Sequence, residues 1–350
     1  MRDQLFWILV ILSLPINQHV LAQGQGRAGQ LRGQIGSAVE KDVFTLYERG
    51  LAYLTSQQDA RGTWDGGEGN GPGTTALAVL AFLASGEDPN FGPYRDTIRR
   101  GIRHIIAAQS PQTGYIGPSM YHHGFASLAL AEAYGAVDDD EYFSAQEENG
   151  RSIEEALELA TRATLTAQKR NRRGGWRYSP VANDADTSVS GTVMISLLAA
   201  RNAGMKVPDR SIDRAIEYFV SMTLPDGSVA YSAAGDSGGD SIARSSIVNL
   251  VLSIARRRDL PAFDQSKRYL VLNQDSDSLW PEYSRYYLAQ ALFQVDADLW
   301  QRWNDQLVKK LKSAQQPDGH FEGELGDVNS TSMSLLALAV NFRFLPIYER

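Results

Sequence analysis

The sequence predicts an all-α protein of six helical hairpins closed into a ring, and three observations carry that expectation. A turn ending on an aromatic or branched apolar residue recurs at Trp64, Ile116, Trp176, Val229, Trp280 and Phe321, 41 to 60 residues apart, which leaves room for two helices in each copy. The helix before each turn carries charge along one face, as in Tyr94 to Ile106, and so has one side in water. The helix after it is apolar nearly all round and rich in Ala and Ser, as in Thr74 to Ala84, which suits burial among neighbours. An inner ring of apolar helices inside an outer ring of amphipathic ones satisfies both. A solenoid would take the same hairpins, but its end copies should be polar caps, and the last copy, Thr331 to Val340, is among the most apolar.

Ahead of the repeats, Arg2, the apolar run Leu5 to Leu14 and the small residues Val20-Leu-Ala22 read as an export signal over residues 1–22. The run stops at Pro15, short of the roughly 20 apolar residues that a spanning helix needs. No stable membrane span is expected, and the mature chain is expected to be periplasmic or secreted. Residues 23–42, rich in Gln, Gly and Arg, bury too little to order themselves and read as a disordered linker; the repeats occupy 43–350. The chain has no cysteine, which removes thiolate catalysis and every Cys-containing metal site. A formal net charge of −7 argues against a nucleic-acid partner, since such binders need a basic surface.

In the first copy, Tyr53 to Gln58 ends the outer helix, Gly62-Thr-Trp64 turns, and Gly86 stops the inner helix, as a C-terminal glycine does. The second copy runs through Gln109, Gly114-Tyr115 and an inner helix Gly124 to Tyr134, closed by Gly135. The third has Gln168, Gly175-Trp176 and Val189 to Ala203 before Gly204. In the fourth, Thr223 stands where the others have Gln, followed by Pro225-Asp-Gly227 and Ser245 to Arg256. The fifth has Gln274, Trp280 and Tyr283 to Val295 but lacks the glycine. The sixth restores the pattern with Gln315, Gly319, Phe321 and Thr331 to Val340.

The Gln-x-x-x-Gly-x-Trp of Gln58 to Trp64, its aromatic variant Gln315 to Phe321 and the looser copies between them resemble the repeat of squalene and oxidosqualene cyclases, whose toroid is shared by protein prenyltransferase β subunits. The resemblance spans about residues 43–345. It implies an α/α toroid of six inner and six outer helices with a central cavity open at one end. The Gln and Trp of the repeat suit structure rather than chemistry: an amide can satisfy carbonyls at a helix end while an indole packs over a neighbouring helix.

In such a ring all six inner N-termini face one rim, and the residues leading into the inner helices are the candidates for a site. They are Glu68 and Asn70; Tyr121, His122 and His123; Asp184 and Asp186; Asp236, Asp240 and Arg244; Tyr283, Arg285 and Tyr286; and Glu322, Glu324, Asp327 and Asn329. His122, His123, Arg244, Tyr283, Arg285 and Tyr286 form the expected ligand-binding set. Asp184-Ala-Asp186-Thr187 is similar to the Asp-x-Asp-Asp motif with which class II terpene cyclases protonate an alkene or epoxide. By that resemblance Asp186 takes the proton-donating position and Asp184 that of its partner, with Thr187 replacing the last Asp. Such an acid must be kept protonated by burial or by a neighbouring carboxylate, in a chamber for which Phe82, Phe125, Tyr134, Met194, Tyr286 and Tyr287 are available. The same residues also read as an ordinary N-cap, in which an ionised Asp precedes Thr-Ser at a helix start. Both roles stay open for Asp186.

The prenyltransferase zinc is held by Asp, Cys and His, and without Cys that set cannot form. His122 and His123 with Asp184 and Asp186 offer other zinc ligands, but adjacent histidines at a helix start face different ways, so no metal and no cofactor is assigned. The glycine-rich Asp65 to Gly73 lacks the Lys-Ser/Thr of a phosphate loop, and Asp236 to Asp240 lacks the ligand series of an EF-hand. The acidic run Asp138 to Glu141 reads as solvated surface, and no Gly-x-Ser-x-Gly is present. Three functions remain. The first is an exported toroid that binds an elongated apolar or anionic ligand in its central cavity, with acid-catalysed isoprenoid cyclisation at Asp186. The second is a polysaccharide hydrolase or lyase, since paired carboxylates hydrolyse glycosides and Arg244, His122 and Tyr286 could assist elimination from a uronate. The third is a non-catalytic binding or assembly module. Squalene cyclases place their active site between two barrels and this chain has residues for one, so a homo-oligomer would be needed to supply the second wall.

Overall fold

The structure, a computed structural model, describes residues 38–66, 70–138, 150–233, 241–276 and 278–346. The expected export signal, most of the expected linker, Glu68, Asp236, Asp240 and Asp139 to Glu141 lie outside the described residues. Twelve helices and no strand are found within them. The outer six are α1 (Ala38–Gln57), α3 (Arg95–Ala107), α5 (Ile153–Arg170), α7 (Asp209–Met222), α9 (Pro261–Asn273) and α11 (Ala297–Ala314). The inner six are α2 (Pro72–Leu83), α4 (Met120–Ala133), α6 (Thr187–Asn202), α8 (Ser241–Ile254), α10 (Pro281–Val295) and α12 (Asp327–Ala339).

Each inner helix packs on the inner helix of the next copy, and α12 packs on α2, which closes the ring. Each outer helix lies across two consecutive inner helices, with α1 across α12 and α2. This is the α/α toroid that the repeats predict. Burial follows the same division. Every residue of α2 is buried, whereas α3 buries only the face made by Thr97, Ile98, Gly101, Ile102, Ile105 and Ile106. No helix among the described residues is long and apolar enough to cross a membrane.

In the first, second, third and sixth copies the recurring Gln joins the copy to the next. Gln109 Nε2 donates to Gly114 O of its own turn (3.0 Å) and to Ala156 O of α5 (2.8 Å). Gln58, Gln168 and Gln315 repeat both bonds, to Gly62 and Thr97, to Gly174 and Ser211, and to Gly319 and Leu46. The turn glycine lies against the same outer helix. Gly114 (φ 74°) and Gly319 (φ 103°) are left-handed, and a Cβ on either would fall on a backbone carbonyl, of Leu159 and Arg49 respectively, so no other residue fits there. Trp64 and Trp176 drop into the core, their indole N–H groups donating to Leu54 O (2.6 Å) and Thr164 O (3.0 Å).

Two boundaries differ from the sequence reading. Helix α1 begins at Ala38, so residues 38–42 of the expected linker are helical. The inner helices begin two to four residues ahead of the apolar stretches that mark them, at Pro72, Met120, Thr187, Ser241, Pro281 and Asp327, because first turns favour proline and small polar residues that do not extend an apolar pattern. Tyr121, His122, His123, Arg244, Asp327 and Asn329 are therefore helical rather than loop residues, Tyr283, Arg285 and Tyr286 lie in the helix as the sequence reading has them, and helix phase sets the direction of each.

Candidate functional site

The inner N-termini converge on an open cavity of about 1160 Å³ to which all six copies contribute. Leu77, Phe125, Leu279, Leu325 and Met333 give it apolar walls, and Tyr121, Tyr178, Tyr231, Trp280 and Tyr283 give it polar aromatic ones. His122, Arg244, Glu282, Glu322, Glu324 and Asn329 supply polar groups.

Of the expected ligand-binding set, His122, Arg244 and Tyr283 meet in this cavity. The backbone N–H of Gly73 donates to His122 Nδ1 at 3.1 Å, which puts the ring proton on Nε2, and burial holds the imidazole below its ordinary pKa. His122 is thus a neutral donor. Arg244 is nearly buried, its Nε donating to Val229 O at 2.7 Å. Tyr283 packs edge-on against Tyr287 (4.8 Å between centroids) and faces Tyr121 at 6.2 Å. The other three do not line the cavity. His123 points outward to α5, its Nδ1 accepting the Ile116 N–H (3.1 Å) and its Nε2 meeting Ala160 O (3.2 Å) and Thr164 Oγ1 (3.0 Å); burial pushes its pKa down to about 4. Arg285 pairs with Glu282 at 3.1 Å. Tyr286 lies behind the lining, against Phe125 and Tyr287.

The acids expected to catalyse are not in the lining either. Asp184, half-exposed, pairs with Arg177 at 3.1 Å. Asp186 is fully buried at the N-cap of α6, where its Oδ1 accepts the Val189 N–H at 2.8 Å. Its Oδ2 has no hydrogen-bond partner among the described residues. Burial raises its pKa to about 6, against the opposing pull of the Val189 N–H and of Arg177. The chain at Tyr231 covers it: Thr187 N–H donates to Tyr231 O at 2.9 Å, and Tyr231 rather than Asp186 lines the cavity. Of the aromatic chamber expected for carbocations, only Phe125 reaches the lining; Phe82 packs in the wall between Trp64 and Tyr94.

Glu282, Tyr178, Tyr231 and Trp280 line the site without having been singled out for it. Glu282 could have been noticed as an acid in the first turn of an inner helix. Its residue is 3% exposed. One carboxylate oxygen pairs with Arg285 and the other has no partner among the described residues. Gly323 packs directly on this carboxyl, where a Cβ would stand 2.8 Å from the carboxyl carbon. The flanking Glu322 and Glu324 therefore share a wall with Glu282. Among the described residues no group of three His, Asp or Glu is arranged to hold a metal ion.

A family model described as a domain of unknown function, DUF6288, matches residues 45–265. The chain belongs to the DUF6288 family. No curated protein sequence matches it. Among solved structures the DUF6288 chain is similar to the type II terpene cyclase MstE from Scytonema, with 14% identity, 87% of this chain and 100% of that one covered, and a TM-score of 0.57. It is also similar to an inactive variant of an α-1,6-mannanase from Salegentibacter in complex with α-1,6-mannotriose, with 10% identity, coverage of 85% and 98%, and a TM-score of 0.61. A protein from Actinoplanes matches with 14% identity, coverage of 84% and 98%, and a TM-score of 0.57. At such identities the likeness is one of fold, and a toroid that serves a cyclase and a glycosidase alike leaves function to the site. The DUF6288 rim offers flat aromatic faces, a neutral imidazole donor, an amide and carboxylates in one concavity, a combination that holds ligands with both apolar faces and hydroxyl groups.

Proposed function

We propose that this DUF6288 toroid binds a carbohydrate chain in its rim cavity, with Glu282 and Glu324 as the carboxyl pair for cleaving a glycosidic bond. The observation that carries the reading is the company of exposed rings and carboxylates in one open cavity: Tyr178 and Trp280 are 50% and 43% exposed and share the lining with Glu282, Glu322 and Glu324. A sugar ring has an apolar face that packs on an aromatic ring and hydroxyls that bond to carboxylates, amides and imidazole. Hydrolysis through an oxocarbenium-like transition state uses two carboxyl groups. The mannanase of the same fold holds mannotriose, which agrees with a toroid accommodating a sugar chain, and an exported protein, as residues 1–22 lead us to expect, meets polysaccharides directly. The test is a panel of neutral and acidic polysaccharides, with binding read by affinity electrophoresis and cleavage by new reducing ends. Retardation on a glycan, with reducing ends lost in Glu324→Gln, supports the reading. No retardation on any glycan, together with tight uptake of a geranylgeranyl amphiphile, sinks it.

A second reading, acid-catalysed isoprenoid cyclisation, is favoured by one observation: Asp186 is an acid held near pKa 6 with an oxygen unpartnered among the described residues. It requires that the Asp186 proton pass the Tyr231 segment. A cyclised product formed from a polyprenyl substrate by the wild type and absent with Asp186→Asn would establish it.

A further inference from the structure

We infer that Trp280 is the stacking platform of the rim cavity, the ring on which one sugar of a bound chain lies; the inference rests on the carbohydrate reading above. Trp280 belongs to the repeat. Gln274 to Trp280 has the same length as Gln58 to Trp64 and Gln315 to Phe321, so Trp280 occupies the position of Trp64 and Phe321. Those two are 0% and 3% exposed, whereas Trp280 is 43% exposed and lines the cavity.

The cause lies two residues before it. In the register Gln-x-x-x-Gly-x-Trp the glycine of the fifth copy is Ser278. Elsewhere that glycine is left-handed and abuts a carbonyl of the next outer helix, a place where a serine Cβ would collide. Ser278 is held by contacts of its own side chain. Its Oγ accepts the Trp280 N–H at 3.1 Å and meets Ser284 Oγ at 2.6 Å. Among the described residues Gln274 makes neither of the two Nε2 bonds that Gln58, Gln109, Gln168 and Gln315 make. Without those two bonds, the indole is not carried beneath the next outer helix, and it stays 43% exposed. Pro281 at the first position of α10 fixes the backbone that follows, so the ring is presented from a rigid base. An indole left half in water offers an apolar face of the size that a pyranose covers, beside the carboxyl of Glu282.

The other tryptophans among the described residues, Trp64, Trp176, Trp300 and Trp303, are 0%, 1%, 6% and 7% exposed, so Trp280 gives a usable optical signal. The full chain is titrated with α-1,6-mannohexaose, xylohexaose and cellohexaose while tryptophan emission and its quenching by acrylamide are followed, in the wild type, Trp280→Ala and Trp280→Phe. The expected result is that a bound sugar shields wild-type emission from acrylamide. Trp280→Ala weakens binding by about tenfold with an unchanged melting temperature, and Trp280→Phe keeps most of the affinity while losing the optical response. Wild-type affinity in Trp280→Ala overturns the inference and leaves the carbohydrate reading standing. A lowered melting temperature with unaltered affinity assigns Trp280 to structure and overturns it too. Failure of the wild type to bind any of the three sugars overturns the carbohydrate reading, and the platform with it.

Discussion

Gln315 at the end of α11 donates its side-chain amide to the carbonyl of Leu46 in α1, 2.8 Å away and 269 residues back in the chain. Gln109 and Gln168 make the same bond to the outer helix that follows each of them. The ring therefore closes on the bond that joins its interior copies. The same amide holds Gly319 O at 2.9 Å, so Gln315→Ala leaves two carbonyls without this donor and is expected to cost about 1–3 kcal/mol. Gln315→Glu turns a carboxylate toward both carbonyls and costs more. Thermal melting should rank wild type above Gln315→Ala above Gln315→Glu. Equal melting temperatures would mean that the amide does not hold the seam.

Trp176 is 1% exposed and donates its indole N–H to Thr164 O at 3.0 Å. Trp176→Ala opens a cavity and removes a buried donor, at an expected cost of about 3–5 kcal/mol. Denaturant unfolding measures it. The contrast with Trp280→Ala is the informative part, since one repeat position is core in the third copy and cavity wall in the fifth. A small effect at Trp176 would contradict the division of the copies into docked and undocked turns.

The ring is legible in the sequence because Gln58, Gly62 and Trp64 recur in kind, and the glutamines of the first, second, third and sixth copies make the same pair of bonds. The rim is less so, because a helix start does not announce its phase. Pro72, Met120 and Ser241 lie ahead of the apolar stretches. His122 and His123 are neighbours in sequence, yet one lines the cavity and the other bonds to α5. Asp186 reads both as a cap and as an acid. The structure gives one of its oxygens to the cap and leaves the other unpartnered among the described residues, which no pattern of residue types encodes. Tyr178 and Tyr231 reach the cavity on loops held by long-range bonds, Tyr178 O to the Met120 N–H and Tyr231 O to the Thr187 N–H. Trp280 reads as one more repeat residue, and the only local sign to the contrary is the serine at 278.

The Arg285–Glu282 pair has one partner deeply buried. The Glu282 side chain is 4% exposed and that of Arg285 25%. Arg285→Met leaves the carboxylate without its ion pair in an apolar setting. Its cost should fall below the about 3–5 kcal/mol of breaking a fully buried pair, because water reaches the guanidinium. Adding Glu282→Gln removes the stranded charge, so the double variant should be more stable than Arg285→Met alone. Denaturation midpoints of the four forms close the cycle, and additivity of the two single changes would deny the coupling.

Asp186 and His123 titrate against each other over one pH window. Burial raises Asp186 from 3.8 to about 6 and lowers His123 from 6.5 to about 4. The folded state prefers Asp186 neutral, so its contribution is fully present below pH 3.8 and is lost as pH rises to about 6; about two pH units correspond to about 3 kcal/mol. The unfolded His123 takes a proton near pH 6.5, whereas the folded ring, with Nδ1 accepting the Ile116 N–H, takes none until about 4. Its contribution is present above pH 6.5 and is lost as pH falls, also by about 3 kcal/mol. The two slopes oppose, so they nearly cancel in the wild type. Asp186→Asn keeps an oxygen for the Val189 N–H and removes one slope, which leaves a protein least stable near pH 4. His123→Gln removes the other, and that variant should lose stability as pH rises from about 4 to about 6. Denaturation midpoints across this range measure the tilt of each variant, whatever its absolute stability. Curves that run parallel in both variants would show that neither side chain carries its titration into the folding equilibrium.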